Sequence, residues 1–206
     1  MDRRFAALLA AGALSGVATE LAVGYAPFRL LTVFAGVWVV AGAWIGYRAR
    51  SSGAAAAEGA GFLAAMVCAF YVTVIVMQSQ LRATLWLFWI VVALTGGSLL
   101  GLAGWSTRAG GWRGGLAAAG LAGLLTAEAI RVWLGFGSHQ RLAYVAFNVV
   151  AAVAVLCWPR RGSRWIAAVA FLPAFVAGAI VFTAIPVMVY GGSHLPYQYQ
   201  HYFWHE

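Results

Sequence analysis

The amino-acid sequence predicts an all-α fold, a polytopic transmembrane helical bundle of about seven spans with no soluble domain attached. Three observations carry that prediction. Of 206 residues, 64% are hydrophobic and only 9% are charged, where an ordinary soluble domain carries about 25% charge. The apolar runs are apolar on all sides, with neither a heptad stripe nor a soluble βαβ pattern. Seven of them approach the ~20 residues needed to cross ~30 Å of hydrocarbon. A soluble domain of this size keeps too much of itself at its surface to hide such a surplus.

The spans are expected at 5–24, 30–47, 59–78, 83–105, 114–135, 142–158 and 165–190, forming one transmembrane domain over 1–190 with a tail at 191–206. The first follows Met1-Asp2-Arg3-Arg4 and resembles a signal peptide, with Gly16 and Ala18 near a possible cleavage point. Its apolar stretch runs on to Tyr25, longer than the usual apolar region of such peptides, so a retained signal-anchor is expected. Cleavage would leave six spans. The second, fourth and sixth end at Arg48, Arg108 and Arg160. The third lies between Glu58, assigned to a loop, and Gln78. The fifth carries Glu128 and Arg131, and the sixth Asn148. The last contains Pro173 and Pro186, each of which removes a backbone donor and favours a bend.

All thirteen basic residues are arginine, and the formal net charge is +8. Such charge invites a nucleic-acid reading, but the arginines are scattered between apolar runs, and topology explains them better. Arg3, Arg4, Arg48, Arg50, Arg108, Arg113, Arg160, Arg161 and Arg164 fall on one side of the layout; Arg29, Arg82, Arg131 and Arg141 fall on the other. Cytoplasmic loops carry the arginine excess. The N-terminus is therefore expected in the cytoplasm and the C-terminus outside, in a cell membrane. Trp105, Trp112, Trp158 and Trp165 flank the inner ends; Tyr25, Trp86, Trp133 and Tyr190 flank the outer ends, as interfacial rings do. Cys68 and Cys157 sit within apolar runs and read as small buried residues.

Gly12-xxx-Gly16, Gly42-xxx-Gly46 and Gly97-xxx-Gly101 place small residues on single helix faces, where helices in lipid approach closely. Packing within the bundle is the expected use; dimerisation is the alternative.

Ionisable side chains in hydrocarbon are costly and usually face the protein interior. From the rise of ~1.5 Å per residue, Glu20 lies ~23 Å from the inner boundary, Glu128 ~21 Å and Arg131 ~26 Å. Asn148 lies ~9 Å below the outer surface, at the same level. Glu128 and Arg131, three residues apart, share a helix face and can pair. Two readings follow. In one, Glu20, Glu128, Arg131 and Asn148 line an outward-facing polar pocket; Arg131 holds an anionic group, and the carboxylates hold a cation, a proton or a ligand amine. In the other, the pair is structural and Arg131 snorkels to the headgroups.

In the tail, His201 and His205 have the i, i+4 spacing that puts two imidazoles on one helix face. With His194 they form a candidate Zn²⁺ or Cu²⁺ site, although Pro196 and the surrounding aromatics also fit an interfacial strip. No zinc-protease, serine-hydrolase or phosphate-loop signature is present, so no enzyme activity and no cofactor are expected.

This layout, rich in Gly, Ala and Arg, resembles that of small six- or seven-span actinobacterial membrane proteins of unknown function. With Ala6-xxx-Ala10 and Ala60-xxx-Ala64 on early spans, it is also similar to substrate-binding subunits of energy-coupling-factor vitamin transporters. That resemblance implies a compact helical bundle with an outward-facing pocket; a seventh span departs from the six-helix pattern. Two functional classes are expected, a solute-binding or transport component and a non-transporting accessory or scaffold subunit. The partners expected are the lipid bilayer, a small ligand or other membrane subunits, and no nucleic acid. Reporter fusions to the two termini should report opposite compartments with the first segment retained; both ends in one compartment would refute an odd number of spans.

Overall fold

A computed structural model describes residues 2–23, 35–78, 83–135, 140–159 and 161–190. Within them the chain is all helix. Seven α-helices run in order: α1 (Arg3–Val23), α2 (Gly36–Arg48), α3 (Ser52–Gln78), α4 (Ala83–Ser106), α5 (Gly111–Gly135), α6 (Gln140–Cys157) and α7 (Arg164–Tyr190), with a 3₁₀ turn at Arg161–Ser163 before α7. Five of them, α1, α3, α4, α5 and α7, are long and apolar enough to span a bilayer. The other two are shorter. α2 has 13 residues, or ~20 Å of rise, and the apolar part of α6 covers Leu142–Cys157.

One boundary differs from the expected layout. α3 begins at Ser52, seven residues before the expected start at 59, so Glu58 sits inside the helix rather than in a loop. Ser51 Oγ accepts the Ala54 N–H at 3.2 Å, a side-chain cap on the first turn. Arg4 supplies the reason a carboxylate is tolerated there. Its guanidinium lies 2.9 Å from Glu58 Oε2 and donates to the Arg48 carbonyl at 2.7 Å. One arginine thus ties the starts of α1 and α3 to the end of α2. The turn between α4 and α5 closes at Gly111, whose φ of +71° lies in the left-handed region that glycine adopts without steric cost. α7 is assigned as one helix across Pro173 and Pro186.

The packing sorts the helices into two groups. α1 lies on α3, α3 on α4, and α2 on α4 and α3; α5 lies on α7 and α6. The groups meet where α5 contacts α4 and α2. α5 is the central helix: 61% of its apolar window is buried, against 11–17% in the other four long helices. Contacts among the ends gather the starts of α1, α3, α5 and α7 with the ends of α2, α4 and α6. This arginine-rich end holds Arg3, Arg4, Arg48, Arg50, Arg108, Arg113 and Arg164.

Size is distributed opposite to a soluble core. The main buried cluster is mostly alanine, with Ala43, Ala118, Ala122, Ala152 and Ala167 around Val39, Leu121 and Leu125. Large residues such as Leu14, Val76, Leu99, Leu134, Val150 and Val169 face outward. Lipid solvates those side chains as well as a core would, so helix association relies on close backbone approach. The glycine pairs provide it within the chain. Gly12 and Gly16 face the backbone of α3 at Phe62 and Met66. Gly46 faces Gly101 of α4, and Gly97 and Gly101 face Gly59 and Ala55 of α3. Thr19, Thr73 and Thr95 return their hydroxyls to carbonyls four residues back, which satisfies them without a neighbour.

Gly101→Val should separate α4 from α3, costing ~1–3 kcal/mol and lowering the melting temperature in detergent. Gly96→Val, at a position where an added Cβ meets nothing within 4 Å, should leave it nearly unchanged. Equal effects would show that helix propensity, not interhelical contact, governs both sites.

Candidate functional site

Helix α2 begins inside the bundle, and that start creates the polar centre. The first N–H groups of a helix have no intrahelical acceptor. In hydrocarbon, water cannot satisfy them, and each unmet donor costs several kcal/mol. Ala35, at the cap position, offers no side-chain acceptor. The acceptors come from two other helices. Glu128 Oε1 on α5 receives the Ala35 N–H at 2.5 Å. Tyr144 Oη on α6 receives the Gly36 N–H at 3.1 Å and donates its own proton to Glu128 Oε2 at 2.7 Å. A carboxylate at a helix N-terminus also sits at the positive end of the helix dipole.

Asn148 lies one turn beyond Tyr144 on α6. Its Nδ2 donates to the Tyr144 carbonyl at 3.3 Å, while its buried Oδ1 has no hydrogen-bond partner. Glu128 and Asn148 are fully buried and Tyr144 is 2% exposed. Gly36 is what lets the three converge. A Cβ at this position would collide with Asn148 Oδ1 and sit 2.9 Å from both Glu128 Oε2 and Tyr144 Oη. Three oxygens from two helices therefore crowd the space over one α2 glycine. Position 36 admits no side chain without displacing them.

Arg131 flanks the centre. Its Nη2 lies 3.7 Å from Glu128 Oε1, confirming the i, i+3 pairing, and its guanidinium stands 5.3 Å from the Phe182 ring of α7. The Arg131 side chain is 36% exposed, so this ion pair is worth at most ~1 kcal/mol. The shorter bonds to the α2 backbone and Tyr144 dominate the placement of Glu128.

Three of the four expected residues, Glu128, Arg131 and Asn148, are thus brought together. Glu20 is buried, but on α1, which packs on α3 and shares no substantial contact with α5 or α6. Two participants were not singled out in the sequence: Tyr144 and Gly36. The available signal for Tyr144 was its spacing from Asn148, one helical turn on the same face. Gly36 carried no signal, because many glycines here serve packing. His194, His201 and His205 lie outside the described residues. Among the described residues, no group of three or more His, Cys, Asp or Glu is positioned to hold a metal ion. Cys68 and Cys157 are both free thiols, and Cys157 is exposed.

The fold and this centre define a multi-span α-helical membrane protein with a carboxylate buried where two helix groups join. By its sequence the chain belongs to the family of unknown function DUF6518, whose model matches residues 1–188. No curated protein and no solved structure matches the chain.

Alanine normally stabilises a helix relative to glycine by up to ~1 kcal/mol. At Gly36 the sign should reverse, and Gly36→Ala should lower the melting temperature. Tyr144→Phe leaves the Gly36 N–H without its acceptor and Glu128 without one donor; it should cost ~1–3 kcal/mol. An unchanged or raised melting temperature for Gly36→Ala would show that the oxygens are not packed against this backbone.

Proposed function

We propose that this protein is a solute-binding or transport component whose ligand site is the centre formed by Glu128, Tyr144, Asn148 and Arg131 at the start of α2. The single observation carrying this reading is a buried carboxylate, in an otherwise apolar bundle, held at the N-terminus of a helix that begins between two helix groups. Ionisable groups at such depth are expensive and mark ligand or ion pathways more often than structural joints. Transporters commonly place their sites at helix discontinuities, where half-helix N-termini face anionic groups.

The chemistry available is mixed. Arg131 favours an anionic group, while Glu128 and the unpartnered Asn148 Oδ1 favour a donor. A small solute carrying both, or a proton or monovalent cation entering with an anion, fits this set. The proposed orientation keeps the arginine-rich end in the cytoplasm, which puts the centre nearer the opposite side. No enzymatic step is assigned to it.

A second reading, a non-transporting accessory or scaffold subunit, draws on a different feature. An open groove between α1 and α3 is lined by Ala10, Ala13, Val17, Ala65, Cys68 and Ala69 among others, a smooth surface of the kind a partner helix packs against.

Thermal-shift screening of the purified protein against small amphoteric metabolites and alkali-metal salts separates these readings. Under the first, a stabilising ligand is expected whose effect falls at least about tenfold in apparent affinity in Glu128→Gln or Arg131→Leu. Both variants should still insert normally. Variants that keep full ligand response, or a protein that responds to no ligand and copurifies with a larger complex, would reject it.

A further inference from the structure

At the arginine-rich end, three aromatic rings form a single platform. Trp44 and Tyr47 of α2 stack at 5.8 Å between centroids with planes 15° apart. Trp158, just past the end of α6, stacks on Tyr47 at 5.2 Å and 10° and on Trp44 at 5.9 Å and 24°. Trp44 is 48% exposed on the outer surface of the bundle. Three near-parallel rings are thus brought together from α2 and the residue after α6.

Two cationic groups lie near the platform. The exposed Arg48 guanidinium stands 5.9 Å from the Trp44 ring. The exposed Arg164 donates to the carbonyls of Cys157, at 3.1 Å, and Pro159, at 3.4 Å, the two residues flanking Trp158. Little negative charge opposes them. Of the acidic residues at this end, Glu58 is paired with Arg4, and Asp2 binds the Arg4 backbone N–H. The spacing along α2 also matters: Trp44, Tyr47 and Arg48 occupy one helix face, i, i+3 and i+4. Arg48, the last residue of α2, thus follows the rings toward the end of the helix.

We propose that the Trp44–Tyr47–Trp158 platform with Arg48 and Arg164 is a binding site for one anionic phospholipid, its phosphate between the two arginines and its glycerol and upper acyl chain against the rings. Arginine is suited to phosphate because its planar fork offers paired donors. The rings supply a flat apolar surface that a zwitterionic lipid would share, so the headgroup charge carries the selectivity. This site is independent of the Glu128 centre, and its partner is the lipid itself rather than a transported solute.

The test is native mass spectrometry of the full chain from micelles containing equal amounts of phosphatidylglycerol and phosphatidylcholine. Wild type should retain one phosphatidylglycerol preferentially. Arg48→Gln should weaken that retention at least about tenfold, the conversion of the ~1.5 kcal/mol or more that a hydrogen bond to a charged group contributes. Arg108→Gln, which removes a guanidinium 5.8 Å from the Trp105 ring, is the control for bulk charge and should leave retention within about twofold. A second measurement works on folded protein alone. Tryptophan emission should be quenched more by brominated phosphatidylglycerol than by brominated phosphatidylcholine, and Trp44→Phe should reduce that difference. Equal retention of the two lipids by wild type would overturn the proposal, as would an equal loss in both arginine variants or a quenching difference that survives Trp44→Phe.

Discussion

The arrangement depends on one constraint: a helix that starts in hydrocarbon must find acceptors for its first N–H groups. α2 is too short to place both ends at the membrane surface, and its cap residue is alanine. Two of those donors, the Ala35 and Gly36 N–H groups, are satisfied by a carboxylate from α5 and a phenol from α6. Each partner solves a problem the other has. Glu128 would be intolerable in an alanine-rich core without donors, and the α2 terminus would be equally costly without acceptors. Because the two come from different helix groups, the same bonds that satisfy them also join the halves of the molecule. Removing either side leaves the other buried and unmatched, so the centre is sensitive to changes that would be mild on a surface.

The rest of the bundle follows from lipid being the solvent. Apolar burial gives little drive for association there, and the chain compensates with backbone-to-backbone contact at Gly16, Gly46, Gly97 and Gly101. Alanine fills the interior and leucine, valine and isoleucine coat the outside. Charged groups are confined to places where a partner or water is at hand. Arg4 and Glu58 illustrate the first case, and the exposed Arg48 the second. Against this background a fully buried glutamate with an adjacent unpartnered amide oxygen stands apart. Membership of the DUF6518 family extends over nearly the whole chain, so the centre lies within the region that defines the family.

Much was legible before any tertiary contact was known. Hydropathy and length located the seven helices of the described residues, and the glycine spacings pointed to contacts that prove to be internal. Glu128 and Arg131 were readable as a pair because three residues along a helix is a fixed geometry, indifferent to the fold around it. The misplacement of Glu58 had a physical origin. An acidic residue among alanines reads as a loop only while the arginine that neutralises it, 54 positions earlier in the chain, is unseen. Glu20 was grouped with Glu128 because depth is computable from sequence, whereas lateral position in the membrane plane is not.

The sequence alone determined that this protein is a multi-span helical bundle of the membrane and that Glu128 and Arg131 share a helix face, because hydrophobicity and helical spacing are local properties. Only the tertiary structure decided which helices touch, that Tyr144 and Gly36 complete the centre, and that Glu128 serves the start of α2 more than it serves Arg131. Those outcomes rest on unpaired backbone groups and close helix approach, which are set by neighbours brought from distant parts of the chain.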